Sequence, residues 1–254
     1  MKDFISIKFK VWRQVSKESN GSYEEFSLEI VSVKISLLEA LDQLNEELTT
    51  KNIRPVTFDH DCREGICGSC GFLVNGQPHG PKRGTTTCQL YMRNFKDNAL
   101  IILEPWRAKS FPIIQDLSVD RNALDKLIIS GGYLSTETGN APDANLIPIS
   151  PKKAFSSFET ATCIGCGACV AGCKNASSSL FVAAKLAHLG QLPQGINEKK
   201  ERSIKMRKQM TIEGFGQCSN NLECEAVCPK SIKAEFISDL NRQYGIAIAK
   251  EAVK

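Results

Sequence analysis

The chain has 254 residues, 42% of them hydrophobic, with 32 Lys and Arg against 28 Asp and Glu and a formal net charge of +4. That length allows one large or two modest domains, the apolar content suffices for a core, and the charge is too mild to point to nucleic acid. No run of about eighteen apolar residues occurs, so no membrane span is expected.

Residues Ile5, Ile7, Phe9 and Val11 alternate on one face of a predicted strand. Phe26, Leu28 and Ile30 continue the alternation after the Asn20-Gly21 turn, which predicts a hairpin. Leu37, Leu41, Leu44 and Leu48 then recur at helical spacing behind Ser36, a plausible N-cap, and read as a core-facing stripe. Two strands, a helix and further strands open a ubiquitin-like β-grasp, the fold that plant-type ferredoxins use.

The segment Asp61-Cys62-Arg63-Glu64-Gly65-Ile66-Cys67-Gly68-Ser69-Cys70 spaces its cysteines by four and two residues. This is the plant-type 2Fe–2S pattern, which needs one distant cysteine, and Cys88 supplies it. Gly65, Gly68 and Gly71 are expected to leave backbone N–H groups aimed at the sulfurs, which favours the reduced cluster. A Rieske centre would need two histidines in place of two cysteines. His60 and His79 do not occupy such positions and read as making structural hydrogen bonds or lying on the loop.

From Ala99 to Glu104 an apolar run predicts the last central strand of this domain, and Pro105 and Pro112 punctuate a linker through Ser110-Phe111. Leu117, Leu124, Leu127 and Ile128 then predict a helix that opens a second domain. Residues 130–151, rich in Gly and Pro, read as a long irregular segment of the functional or partner-contacting kind.

The second domain centres on Cys163-x2-Cys166-x2-Cys169-x3-Cys173, the iron–sulfur run of bacterial-type ferredoxins. Gly165 and Gly167 let its backbone bend around the sulfurs. In two-cluster ferredoxins the fourth cysteine of such a run ligates the other cluster, so a second run must exist. Cys218, Cys224 and Cys228-Pro229 repeat the frame, with Asn221 where a further cysteine would fall. Cys163, Cys166, Cys169 and Cys228 therefore make a four-thiolate site fit for a 4Fe–4S cluster. Cys173, Cys218 and Cys224 make a three-thiolate site that suits a 3Fe–4S cluster. A four-iron cluster with Asn221 or water as fourth ligand is the other option. Zinc, which favours two pairs converging on one tetrahedral ion, fits this swapped frame poorly.

The three sites use all eleven cysteines. No signal peptide is read before the first strand, so a reducing compartment is expected, where cysteines at ligand spacing mean metal. The Asn175-Ala176-Ser177 sequon then reads as a chance match. Leu180 to Leu192 predicts an apolar helix carrying His188, read as structural. Residues Lys199 to Lys208 hold six basic side chains, read as a solvated helix face in preference to a lipid- or partner-docking patch. A last helix follows Pro229, with Ile232, Phe236, Ile237 and Leu240 inward.

A plant-type 2Fe–2S domain followed by a helical domain with a four- and a three-cysteine site resembles the iron–sulfur subunit of succinate dehydrogenase and fumarate reductase, respiratory complex II. The resemblance covers nearly the whole chain. It implies an α+β protein: a β-grasp plant-type 2Fe–2S ferredoxin domain over 1–115 and an all-α bacterial-ferredoxin-like domain with two clusters over 116–254. It implies an electron-transfer subunit without substrate chemistry, docked to a flavoprotein whose covalent FAD oxidises succinate or reduces fumarate. Electrons would pass through 2Fe–2S, 4Fe–4S and 3Fe–4S centres to a membrane anchor and quinone. The expected location is peripheral, on the cytoplasmic face of the bacterial inner membrane. Three departures stand out: a long loop between Cys70 and Cys88, Lys174 in place of proline after Cys173, and no Trp after Cys173 together with Ser219 where some members have His. Members with a quinone pocket beside the 3Fe–4S centre use those Trp and His residues. This chain looks more like the branch whose single cytochrome anchor carries two haems. The competing readings are a stand-alone soluble multi-cluster carrier and the iron–sulfur subunit of a soluble fumarate reductase.

Overall fold

The computed structural model describes residues 3–135, 143–146, 149–193 and 198–251. Strand β1 (Phe4–Arg13) pairs antiparallel with β2 (Ser22–Ser32), and its inward residues Ile5, Ile7, Phe9 and Val11 are buried as their alternation predicts. The connection spans residues 14–21 and is wider than an Asn-Gly turn. Gly21 lacks a side chain because the Trp12 ring lies there, 2.3 Å from where a Cβ would stand. In β2 the expected phase slips. Ile7 pairs with Leu28 but Ile5 pairs with Val31, so a bulge inserts one residue. Leu28 and Val31 face the core, and Ile30 is left 66% exposed.

Helix α1 (Leu37–Thr50) buries the predicted leucine stripe. Its start is a capping box: Ser36 Oγ accepts from Glu39 N at 3.2 Å and Glu39 Oε2 accepts from Ser36 N at 2.7 Å. Strands β3 (Leu73–Val74), β4 (Gln77–Pro78) and β5 (Ala99–Glu104) complete a sheet of order β2-β1-β5-β3-β4, with β5 parallel to β1. This mixed sheet with one helix across it is the β-grasp arrangement. β5 is central as expected, but only Ile101 and Leu103 are fully buried.

Two expectations change after β5. The stretch from Pro105 to Pro112 is no solvent linker, since Trp106 and Phe111 are each 1% exposed. Leu117 is not helical either. It sits at the turn of a small hairpin of β6 (Ile113–Gln115) and β7 (Ser118–Val119), with its side chain in the core of the sheet domain. The cause is Asp116, which takes a left-handed φ of +47° and sends a fully buried carboxylate into that domain. Helix α2 (Asn122–Gly131) begins only afterwards, burying Leu124 and Leu127.

The helical region comprises α3 (Pro151–Ala161), α4 (Ala168–Ala171), α5 (Ser179–Gln191), α6 (Lys199–Ile212), α7 (Glu223–Ala226) and α8 (Glu235–Glu251). α5 is apolar on all sides because α3, α6 and α8 surround it. Its His188 carbonyl accepts from Ser157 Oγ at 2.7 Å, and burial beside Lys185 lowers the imidazole pKa, a structural setting. The basic run on α6 is largely paired within the protein: Lys199 with Asp239, Lys205 with Glu201, Arg207 over the Tyr244 ring. Buried Arg202 donates to the Gly131 carbonyl at 2.7 Å and the Tyr133 carbonyl at 2.8 Å, tying α6 to the end of α2. Of the segment predicted irregular, 130–131 close α2 and Pro151 opens α3. Residues 136–142, 147 and 148 within it lie outside the described residues. Among the described residues, no helix is long and apolar enough to cross a membrane.

Candidate functional site: three groups of cysteines

The loop from Cys62 to Cys70 follows α1 and precedes β3, held by contacts at both ends. Arg63 makes a bidentate pair with Asp42 of α1, at 2.5 and 3.1 Å, and its carbonyl accepts from Gln89 Nε2 at 2.7 Å. Arg63, Gly65 and Gly68 all take positive φ, which winds the loop tightly around its sulfurs. Backbone N–H groups do point at them: Glu64 N to Cys62 Sγ at 3.3 Å and Ser69 N to Cys67 Sγ at 3.4 Å. Backbone N–H groups of Glu64 first and then Ile66 lower the Cys62 thiol to about 7. Cys88, on a short 3-10 turn over Thr87–Gln89, shares a hydrogen bond with Cys70. That bond, helped by Thr86 Oγ1 at 3.3 Å and the Gly65 N–H, holds Cys88 down at about 6 and drives Cys70 up.

The glycines divide the expected role. Gly65 does direct its N–H toward Cys88, but the Gly71 N–H bonds the Ser69 carbonyl at 2.9 Å. Gly71 is small because the Trp106 ring lies against it, 2.4 Å from where a Cβ would stand. Gly68 is small because a Cβ there would lie 2.2 Å from the Ile164 carbonyl oxygen of the other cysteine run.

Cys163, Cys166, Cys169 and Cys228 line one cavity whose remaining walls include Ile164, Leu180, Phe181 and Ile232. The left-handed Gly165 and Gly167 (φ +64° and +86°) turn the chain there, and Gly167 starts α4. Burial raises the Cys163, Cys166 and Cys169 thiols, Cys166 to about 12. Such thiols become thiolates when a cation-bearing group compensates the charge.

The third group is Cys173, Cys218 and Cys224. Burial raises Cys224 to about 11, and the nearby Cys218 and Cys173 add to it. Cys218 Sγ accepts from Asn220 N at 3.4 Å. The loop is clamped by Asn175, whose Nδ2 donates to the Gln217 carbonyl and to Ser219 Oγ, both at 2.9 Å. The sequon asparagine therefore has a structural use. Cys169 feels both Cys228 and Cys224, so the second and third groups adjoin.

His79 is a buried residue of the sheet domain, 1% exposed: its Nδ1 accepts from Thr87 N at 3.3 Å, and burial lowers its pKa to about 4. His60 is exposed and lies near Phe58. Residues missed by sequence reasoning are Trp106 and Arg121. Trp106 Nε1 donates to the Cys166 carbonyl at 3.1 Å, and Arg121 donates to the Gly68 carbonyl. Neither carries a local signal, since one lies in a stretch that reads as linker and the other at a helix start.

Comparison with known proteins bears on this arrangement. Residues 8–126 match the 2Fe-2S iron-sulfur cluster binding domain and residues 159–232 match the 4Fe-4S dicluster domain. The chain is thus an iron–sulfur protein with a 2Fe–2S domain ahead of a two-cluster helical one. It is 28% identical to the succinate dehydrogenase iron-sulfur subunit of Bacillus subtilis (strain 168), over 95% of this chain and 94% of that one. It is 26% identical to the fumarate reductase iron-sulfur subunit of Wolinella succinogenes, covering 90% and 91%. A chain of the Mycobacterium smegmatis Sdh1 complex in the apo form shares the fold, with a TM-score of 0.69, 21% identity and 98% of each chain covered. Over nearly its whole length the chain is thus similar to the iron–sulfur subunits of succinate dehydrogenase and fumarate reductase.

Proposed function

We propose that this chain is the electron-relay subunit of a membrane-bound succinate:quinone oxidoreductase, set between an FAD-bearing flavoprotein and a membrane cytochrome that carries two haems and serves a quinone. Cys62, Cys67, Cys70 and Cys88 would hold a 2Fe–2S cluster, and Cys163, Cys166, Cys169 and Cys228 a 4Fe–4S cluster. Cys173, Cys218 and Cys224 would hold a 3Fe–4S cluster. When bound, these clusters supply one-electron carriers. The partition 1–115 and 116–254 belongs to the same reading, with Asp116 and Leu117 still packed on the sheet domain. The protein would sit peripherally at the cytoplasmic face of the inner membrane.

The observation that carries the reading is the exchange of cysteines between runs. Cys228 lines the cavity of Cys163, Cys166 and Cys169, while Cys173 neighbours Cys218 and Cys224. The residues fit the groups proposed. Four thiols converge on one apolar-walled cavity, and backbone N–H groups face the sulfurs elsewhere. The chain's own contribution is to fix sulfur positions, donate hydrogen bonds to them and exclude water.

The test is electron paramagnetic resonance of the reconstituted subunit with a turnover assay. Three distinct cluster signals are expected, with no succinate or fumarate turnover in flavin-free protein. Turnover by that preparation would sink the relay assignment, and absence of a three-iron signal on oxidation would remove the 3Fe–4S cluster.

Asn221 gives a sharper test of the third site. Its exposed side chain donates to Ser219 Oγ at 3.2 Å, between the left-handed Asn220 and Leu222. If the missing thiol explains a three-iron cluster, Asn221→Cys should convert the site to 4Fe–4S and lower its potential, since an added thiolate places more negative charge there. Persistence of the three-iron signal at wild-type intensity would show that this backbone cannot bring a sulfur into reach.

A further inference from the structure

We infer that Trp106 fixes the separation of the 2Fe–2S and 4Fe–4S sites and so acts as a positioning residue for electron transfer between them; this rests on the cluster assignments proposed above. The indole is 1% exposed and touches the ligand segments of both sites. Toward the helical region, its Nε1 donates to the Cys166 carbonyl at 3.1 Å. A Cβ on Gly167, the next residue, would lie 3.4 Å from the same nitrogen. Toward the sheet domain, the ring presses on Gly71, beside Cys70, where a Cβ would come within 2.4 Å of Cζ2. It also meets the His79 ring edge to face, with centroids 5.4 Å apart at 85°. His79 in turn holds Thr87, the residue before Cys88, through both Thr87 N and Oγ1. One side chain therefore contacts the neighbours of Cys70 and Cys166 and, through His79, of Cys88.

The opposing limit is set by Gly68, whose Cα faces the Ile164 carbonyl with no room for a Cβ. Gly68 sets how near the two loops come, and Trp106 holds them at that distance. Electron transfer through protein weakens steeply with separation, so a reactive arrangement needs packed supporting residues of this kind. Trp106 follows Pro105 directly after β5, so the sheet itself aims it across the junction.

The test uses reconstituted holoprotein carrying Trp106→Ala, Trp106→Phe or Gly68→Ala. With both clusters reduced, the readout is magnetic interaction between them, seen as power saturation of the 2Fe–2S signal. Trp106→Ala is expected to make that signal saturate at several-fold lower power, with its g-values and the occupancy of both sites unchanged. Trp106→Phe, which keeps one six-membered aromatic ring but loses the N–H and part of the indole's bulk, should lie between it and wild type. Gly68→Ala, which wedges the loops apart, should shift saturation in the same direction as Trp106→Ala. Wild-type saturation at full occupancy in Trp106→Ala overturns the inference. If that variant assembles poorly, wild-type saturation in both Trp106→Phe and Gly68→Ala overturns it equally. Failure of the underlying assignments would look different, because the wild type itself would then lack one of the two signals.

Discussion

Replacing Asp116 with alanine is expected to destabilise the sheet domain by about 3–5 kcal/mol, the usual cost of breaking a buried ion pair from one side. The carboxylate is fully buried. Arg54 grips it bidentately at 2.8 and 2.9 Å, and the Gln14 and Thr57 N–H groups donate to it at 2.9 and 3.0 Å. Arg13, only 4% exposed at its side chain, stands 3.5 Å away. Alanine would leave two guanidinium groups with only the partly exposed Glu24, 3.5 Å from Arg13, as counter-charge, and two backbone donors without an acceptor. Burial already lowers the Arg13 pKa against the pull of Asp116, so the arginine has little tolerance for losing it. Asp116→Asn keeps one oxygen acceptor and should cost less. Denaturant unfolding of the holoprotein provides the measurement. A loss below about 1 kcal/mol for the alanine variant would mean that the arginines escape to water. The network matters to the cluster loop as well, because Ser118, two residues on, donates to Asp59 Oδ1 at 2.8 Å just ahead of Cys62.

Cys88→Ala should abolish the 2Fe–2S signal while the oxidised three-iron signal remains. Alanine offers no donor atom at the position where the proposed cluster needs its fourth thiolate. Cys163, Cys166, Cys169, Cys224 and Cys228 pack in or against a separate core, and in the proposed assignment no cysteine is shared with this site. The variant is read by electron paramagnetic resonance before and after reduction. Retention of the 2Fe–2S signal would exclude Cys88 as its ligand, and loss of every signal together would refute the independence of the sheet and helical domains.

The grouping of the thiols is proposed from their spacing alone, because ligand runs are local and their glycines take conformations that other residues resist. The leucine stripe of α1 and its Ser36 cap were legible for the same reason: both are written within one or two helical turns. The β2 bulge was not, since the slip that exchanges Ile30 for Val31 depends on pairing with β1. Nor could sequence place Leu117, because a helical spacing of leucines says nothing of the buried Asp116 that turns the chain first. The stretch from Pro105 to Pro112 has the composition of a linker, and only the meeting of two cores made Trp106 and Phe111 interior residues. Gly68 and Gly71 show the division most plainly. Their presence in a cysteine loop is a sequence fact, but their reason is a carbonyl and an indole from elsewhere in the chain. Sequence supplied the proposed ligands and the local turns around them, through short-range spacing and backbone preference. Tertiary packing decided how close the sites stand, because that distance is set by contacts between residues far apart in the chain.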